Sequence, residues 1–147
     1  MPIRSVSRFS ISAAPIDLAG LRSAMADERA GAFVSFEGWV RNTNEGRAVA
    51  RLEYEAFAPL ADKEGSRILD EAMRVFPVFD IRCIHRVGTL ALGDLAVWVG
   101  VSSRNRGSAF DACRYVIDEV KSRVPIWKKE HYADGDSGWI NCQTAPK

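Results

Sequence analysis

The spacing of apolar residues predicts three helices. The first covers residues 17–25, where Asp17 can cap the first turn. The second covers residues 59–76, where Pro59 suits a first helical turn. The third covers residues 109–123, which repeat apolar side chains at intervals of three and four. Each helix is therefore expected to bury one face against a core.

Alternation with a period of two predicts strands around these helices. The predicted strands are residues 4–12, 32–41, 48–57, 78–87 and 95–103, with a last hairpin around Gly135, Gly138 and Trp139. Because residues 42–46 form a short turn, strands 32–41 and 48–57 are expected to pair as a hairpin. Residues 88–94 are expected to be a turn. The whole pattern predicts one α+β domain over residues 1–147, with a mixed or antiparallel sheet and about three helices.

The third helix has a predicted start and a predicted stop. Ser108 and Asp111 have the capping-box spacing, so Ser108 is expected to be the N-cap. Pro125 cannot continue a helix and favours extended geometry at Val124. The chain is therefore expected to leave the helix before Pro125 and to continue as an extended segment.

Two lysines flank this break, within residues 121–130. Lys121 is expected on the last helical turn and Lys128 beyond Pro125, which brings two amines around one corner. With Trp127 beside them as an apolar wall, the corner could hold an anionic, partly aromatic ligand. The alternative is that both are ordinary surface cations, since cations suit helix C-termini.

A second group of cations precedes the third helix, at residues 103–108. Unpaired backbone N–H groups and the positive end of the helix dipole favour an anion there, and Arg104 and Arg106 add donors suited to phosphate. The alternative is that both arginines are solvated loop residues. Arg41, beside the turn at residues 42–46, is a third candidate for anion binding, although a lone arginine there would more often be a solvated strand end.

Helix length keeps the two groups of cations apart. A helix over residues 109–123 has ends roughly 20 Å apart, at about 1.5 Å per residue. One small ligand cannot easily contact both ends. Either the groups form separate sites, or a two-fold dimer sets the arginine end of one protomer beside the lysine end of the other. We favour the dimer.

Composition narrows the class of protein. A chain of 147 residues fits one domain, and 47% hydrophobic with 27% charged residues is typical of a globular protein. The net charge of +1 gives no general attraction for nucleic acid or for an anionic membrane. Residues 1–12 lack the apolar core of a signal peptide, and no apolar run reaches the ~20 residues of a membrane span. A cytoplasmic protein is expected.

The cysteines predict neither a disulfide framework nor a zinc ribbon. Cys83, Cys113 and Cys142 are odd in number and widely spaced, so reduced and mostly buried thiols are expected. Cys83 and His85 could meet a metal from one strand face. Core packing is the preferred interpretation, because two candidate ligands without partners are too few.

The remaining candidate chemistry is that of lysine and arginine. The sequence contains no P-loop, dinucleotide fingerprint or zinc-protease motif, so no cofactor and no metal are expected. Glu37, Glu53 and Glu55 alternate with apolar positions and are interpreted as outward carboxylates rather than an acid pair. A lysine near other cations has a lowered pKa and can act as a general acid or base, while arginines stay charged and hold the substrate.

Four motifs occur in order along the chain. They are Gly-Ala-Phe-Val-Ser-Phe-Glu-Gly-Trp-Val-Arg-Asn at residues 31–42, Ile-His-Arg-Val-Gly at 84–88, a stretch at 99–110 that ends in Arg-Gly-Ser-Ala-Phe, and Lys-Ser-Arg-Val-Pro-Ile-Trp-Lys-Lys-Glu at 121–130. In sequence, order and spacing they resemble a known family, the large catalytic subunits of molybdopterin synthase. The resemblance covers nearly the whole chain, from the first strand to Trp139.

The resemblance implies an α/β hammerhead-type fold and a homodimer that binds two copies of a small ubiquitin-like sulfur-carrier subunit. The carrier's C-terminal Gly-Gly, as a thiocarboxylate, would enter a pocket of this protein. Two sulfurs would then pass in turn to cyclic pyranopterin monophosphate and form the dithiolene of molybdopterin. Sulfur would come from the partner, which agrees with the absence of a cysteine from the basic groups.

The resemblance also implies roles for individual residues. Lys121 corresponds to the principal catalytic lysine of the family and Lys128 to the second lysine of the pocket. Arg41 and Arg106 correspond to substrate or phosphate contacts, and Phe36 to an aromatic wall.

At two further positions that the resemblance places in the pocket, the side chain limits the possible role. Asn105 stands where many relatives carry a histidine, and an asparagine can hydrogen-bond a ligand but cannot become cationic or shuttle a proton near pH 7. Ile117, one turn before Lys121, would line the pocket only as an apolar wall.

A second class of function fits the basic groups equally well. A non-catalytic dimeric module could bind a ubiquitin-like tail or a phosphorylated ligand without changing it. Nucleic-acid binding ranks third, because aromatic residues are not interleaved with a basic stripe.

Overall fold

The order of helices and strands follows the hydrophobic pattern, with two short strands that the pattern did not indicate. A computed structural model describes residues 7–135 and 137–144. The strands are β1 Phe9–Ser12, β2 Ala32–Trp39, β3 Thr43–Asn44, β4 Arg47–Ala56, β5 Val78–Arg86, β6 Gly88–Ala91, β7 Leu95–Ser103, β8 Ile126–Tyr132 and β9 Trp139–Asn141. The helices are α1 Leu18–Ala24, α2 Ala58–Val75, α3 Arg106–Arg123 and a short 3-10 helix, Cys142–Thr144. Residues 4–6 of the first predicted strand lie outside the described part.

The first sheet carries the two long helices. Its strand order is β1-β5-β7-β2, with β1 parallel to β5 and the other pairs antiparallel. α2 and α3 pack side by side on this sheet. Gly65 permits the close approach of α2 to β1, because a side chain there would collide with the ring of Phe9. The buried core lies between these helices and β5 and β7.

The second sheet is built around β4, which pairs with β3, β6 and β8, while β9 adds to β8. The predicted hairpin of residues 32–41 with 48–57 is wrong, because β2 pairs with β7 and β4 lies in this other sheet. The turn instead joins β4 to the two-residue strand β3. Glu45 and Gly46 both have positive φ, of 51° and 77°, as a tight hairpin turn requires. The segment predicted as a turn at residues 88–94 contains β6.

The start of α3 differs from the prediction, and its end agrees with it. The helix begins at Arg106, with Asn105 as an N-cap that makes no side-chain cap bond. Ser108 therefore lies inside the first turn, and the predicted capping box is wrong. At the other end, Val124 is extended and Pro125 follows, so the helix stops where proline geometry requires.

The predicted fold class is confirmed, a single α+β domain with mixed and antiparallel sheets. Cys83, Cys113 and Cys142 are free and buried, as expected. Cys83 and His85 are both fully buried in the core, and the described residues contain no group of three or more potential metal ligands. Within residues 7–135 and 137–144, no helix is long and apolar enough to cross a membrane.

Candidate active site

A cavity of about 600 Å³ opens where the C-terminal end of α3 meets the second sheet. Its volume is within the range of small-molecule sites. The functional side chains that line it include Phe36, Arg41, Asn44, Tyr54, Ile117, Lys121, Lys128 and Glu130. Five of the seven residues to which the resemblance gives a role therefore share one cavity within a single chain.

The two lysines reach this cavity because the chain reverses between them. α3 ends at Arg123, and β8 begins at Ile126 and runs back along β4. Lys121 points into the cavity from the last helical turn, and Lys128 does so from β8. The corner predicted from Pro125 thus places both amines on one cavity.

The surroundings of the two amines differ. Lys128 Nζ lies 3.1 Å from Oε1 of Glu130, which is buried. Among the described residues, Lys121 has no carboxylate within ion-pair distance. Burial lowers the pKa of the Lys121 amine, and the charge of Lys128 lowers it further, while the Cys142 thiol acts in the opposite direction. The neutral form is therefore more accessible for Lys121 than for a lysine in water.

Glu130 is itself held in place from its other side. Tyr132 donates a hydrogen bond from its hydroxyl to Glu130 Oε2 over 2.8 Å. Asn44 Nδ2 donates to the Tyr132 hydroxyl over 2.9 Å. The turn between β3 and β4 is thus connected to Lys128 through a chain of polar contacts, which fixes one wall of the cavity.

Trp127 is not the apolar wall that the sequence predicts. Successive residues of a strand point to opposite faces, and Lys128 and Glu130 occupy the cavity face of β8. Trp127 lies on the other face, 43% exposed. Phe36 and Ile117 provide apolar wall instead.

The other predicted site residues lie at the opposite end of α3. Arg104, Asn105 and Arg106 are exposed, and none of them lines the cavity. An 18-residue helix is about 27 Å long. A single chain therefore does not bring Asn105 or Arg106 to the lysines, and the separation is greater than the sequence indicated.

The lining residues that the sequence does not predict include Tyr54, Glu130 and Asn44. Glu130 follows Lys128 by two residues, so a strand assignment would have placed both on one face. Tyr54 lies between Glu53 and Glu55, which were interpreted as outward, and alternation therefore directs it inward. Asn44 carried no comparable signal, because its position depends on the β3–β4 turn.

Fold and cavity together define a class: single-domain α+β proteins in which a small-molecule cavity is lined by lysines from a helix end and an adjoining strand. Comparison with known proteins identifies the family within that class. The profile of the MoaE protein family matches residues 11–123. The chain belongs to the MoaE protein family.

Individual relatives agree with this assignment. The molybdopterin synthase catalytic subunit of Synechococcus elongatus is 46% identical over 138 residues, 92% of this chain and 84% of the relative. The crystal structure of molybdopterin synthase from Staphylococcus aureus has a TM-score of 0.85 at 39% identity, covering 92% of this chain and 98% of that one. The resemblance noted in the sequence is confirmed.

A more distant structure shows the same fold. It is a protein-protein complex of subunits 1 and 2 of molybdopterin-converting factor from Helicobacter pylori, with a TM-score of 0.72 and 21% identity. It covers 92% of this chain and 90% of that one. At this identity the likeness concerns the fold alone.

Proposed function

We propose that the lysine-lined cavity is where sulfur is transferred to cyclic pyranopterin monophosphate. The family makes this chain an enzyme, the sulfur-transferring catalytic subunit of molybdopterin synthase in molybdenum cofactor biosynthesis. One observation carries the assignment of the site. Two lysines in different electrostatic surroundings face one cavity of about 600 Å³, with Arg41 beside them.

The sulfur comes from a partner, a small ubiquitin-like carrier whose C-terminal Gly-Gly ends in a thiocarboxylate. The three cysteines are buried, and none of them lines the cavity. The chain itself therefore offers no accessible thiol at this place. A neighbour of the same fold has been solved as a complex of two subunits, which supports a partner of this kind.

The two lysines have separate tasks. Lys128, paired with Glu130, is a positioned cation that holds an anionic group of the substrate. Lys121 exchanges a proton with the reacting groups, because burial lowers the pKa of its amine and makes the neutral form more accessible than in water. Arg41 stays charged and contacts the phosphate, while Phe36 and Ile117 enclose the pterin.

A homodimer completes the pocket. Asn105 and Arg106 lie about a helix length from Lys121 in their own chain, so they reach a cavity by extending into that of the other protomer. With one carrier at each cavity the assembly is a heterotetramer. We place it in the cytoplasm, where the carrier thiocarboxylate is available, and expect neither nucleic acid nor membrane as a partner.

The test is reconstitution with the thiocarboxylated carrier and the cyclic pterin. We expect dithiolene formation that depends on both components. Tight binding of the carrier or of the pterin without conversion would instead indicate a non-catalytic binding module. A carrier ending in an ordinary carboxylate is the matched control, because it can occupy the cavity but cannot donate sulfur.

A further inference from the structure

The hydroxyl of Tyr54 is a polar group of the cavity to which the proposed function gives no role. Tyr54 is on β4, the central strand of the second sheet, and is only 8% exposed. It lines the cavity, and its hydroxyl forms no hydrogen bond with another described residue.

The other two tyrosines show the usual arrangement. The Tyr115 hydroxyl donates to Glu71 over 3.2 Å, and the Tyr132 hydroxyl donates to Glu130 over 2.8 Å. Both are less buried than Tyr54. The Tyr54 hydroxyl, by contrast, makes no hydrogen bond with another described residue and lies at the cavity, so it is available to donate to a bound ligand.

The surroundings of Tyr54 indicate which kind of ligand atom would accept a hydrogen bond from its hydroxyl. Burial raises the pKa of Tyr54, and the nearby charge of Glu130 acts in the same direction, so the group remains a neutral hydrogen-bond donor. Phosphate and carboxylate groups already have cations in the cavity, Arg41 and Lys128. A neutral donor is better suited to an oxygen that gains negative charge only during the reaction.

Tyr54 also lies beside the amine assigned to proton exchange. Lys121 Nζ is 6.0 Å from the centroid of the Tyr54 ring. The ring is fixed from behind, where His85 packs edge-on against it at a centroid distance of 4.8 Å. The ring, and with it the hydroxyl, is therefore held on the cavity wall beside Lys121.

We propose that Tyr54 is a further catalytic residue, which donates a hydrogen bond to the acyl oxygen of the carrier's terminal glycine as sulfur is released. This inference rests on the proposed function. Once sulfur has bonded to the pterin carbon, it still joins that carbon to the acyl carbon as a thioester. Water adds to the acyl carbon, and the C–S bond breaks with its electron pair on sulfur. The two hydrogens of water end on the carboxyl group and the thiol, one of them passing through the Lys121 amine. Tyr54 keeps its proton throughout.

The experiment is Tyr54→Phe, with Tyr115→Phe as the matched control. For Tyr54→Phe we expect kcat to fall roughly 10²- to 10³-fold, as for the loss of one donor to a developing oxyanion. The KM values for the carrier and the pterin should change less than about twofold, and the melting temperature should stay the same or rise, because no hydrogen bond within the protein is lost. Tyr115→Phe should keep its kcat and lose some thermal stability.

Three outcomes would overturn the proposal. One is a kcat of Tyr54→Phe within about twofold of the parent enzyme. Another is a raised KM for the pterin at unchanged kcat, which would assign the hydroxyl to the bound substrate. The third is a loss of activity matched by a loss of stability or of affinity for the carboxylate form of the carrier, which would make the role structural. If the parent enzyme itself forms no product, it is the proposed function that fails.

Discussion

The two ends of α3 carry cations of opposite character. At the C-terminal end, Lys121 is largely buried, faces a cavity and has a lowered pKa caused by burial. At the N-terminal end, Arg104 and Arg106 are exposed and do not line that cavity. A single chain therefore encloses Lys121 in a cavity, whereas the two arginines lie on the surface outside that cavity.

The C-terminal end also shows how an ordinary helix-end cation differs from a site residue. Arg123 lies only two residues after Lys121, yet its guanidinium pairs with Glu64, Glu71 and Glu119. The contacts with Glu64 and Glu71 connect α3 to α2, and the three contacts together satisfy the charge of Arg123. Lys121 has no such pairing among the described residues. Partners, rather than position on the helix, therefore distinguish the candidate catalytic cation from the structural one.

The largest expected effect is that of Lys121→Ala. We expect product formation to fall roughly 10³-fold or more, since the variant loses the group assigned to proton exchange. The dimer should remain folded, with a melting temperature equal to or above that of the parent, because a buried amine without a carboxylate partner contributes no ion pair. Single-turnover sulfur transfer and thermal unfolding measure the two quantities.

Lys129→Ala is the matched control for this variant. Lys129 lies next to Lys128 but on the opposite face of β8, with its amine 5.7 Å from the centroid of the Trp139 ring. It should retain near-normal activity. Equal losses in both variants, or near-normal turnover by Lys121→Ala, would contradict the assignment.

A smaller effect is expected from Lys128→Ala. We expect activity to fall roughly 10- to 10²-fold, through the loss of a positioned cation. The pH dependence should change as well. The charge of Lys128 helps to lower the pKa of Lys121. Its removal raises that pKa, so the rate that depends on neutral Lys121 should increase only at higher pH than in the parent. A pH–rate profile that is unchanged, or moved to lower pH, would show that the two amines are not coupled in this way.

The sequence predicted the parts of this fold that depend on local spacing. The three helices, the break at Pro125 and the extended geometry of the segment that carries Lys128 all follow from periodicity or proline geometry. Strand pairing did not follow. Alternation identifies a strand and its two faces, but the partner of β4 is set by contacts far along the chain, and β8 is more than 70 residues away.

The same limit explains what was missed in the site. Lys121 and Lys128 are close in sequence, so their convergence could be predicted. Tyr54 reaches the cavity only because β4 pairs with β8, and Asn44 only because the β3–β4 turn folds back toward Tyr132. Trp127 is adjacent to Lys128 in sequence but not in the cavity, because adjacent residues of a strand point to opposite faces.

The smallest expected change is the most direct test of whether the two helix ends meet. In Arg106→Ala we expect affinity for the substrate to weaken roughly tenfold, the effect of losing one charge-assisted contact. A mixed dimer is then formed from one Lys121→Ala protomer and one Arg106→Ala protomer. If each pocket takes Lys121 from one chain and Arg106 from the other, one pocket carries both substitutions and the other carries none.

That mixed dimer should therefore have about half the activity of the parent dimer, measured at low substrate concentration after purification by two different affinity tags. The reciprocal dimer, with both substitutions on one protomer and a parent chain as the other, has one defect in each pocket and should be far less active. If Arg106 instead belongs to a separate site that takes no part in the reaction, both dimers keep one intact pocket and the two activities are equal. The ratio of these two activities thus decides whether the exposed arginine end of α3 belongs to the same pocket as its buried lysine end.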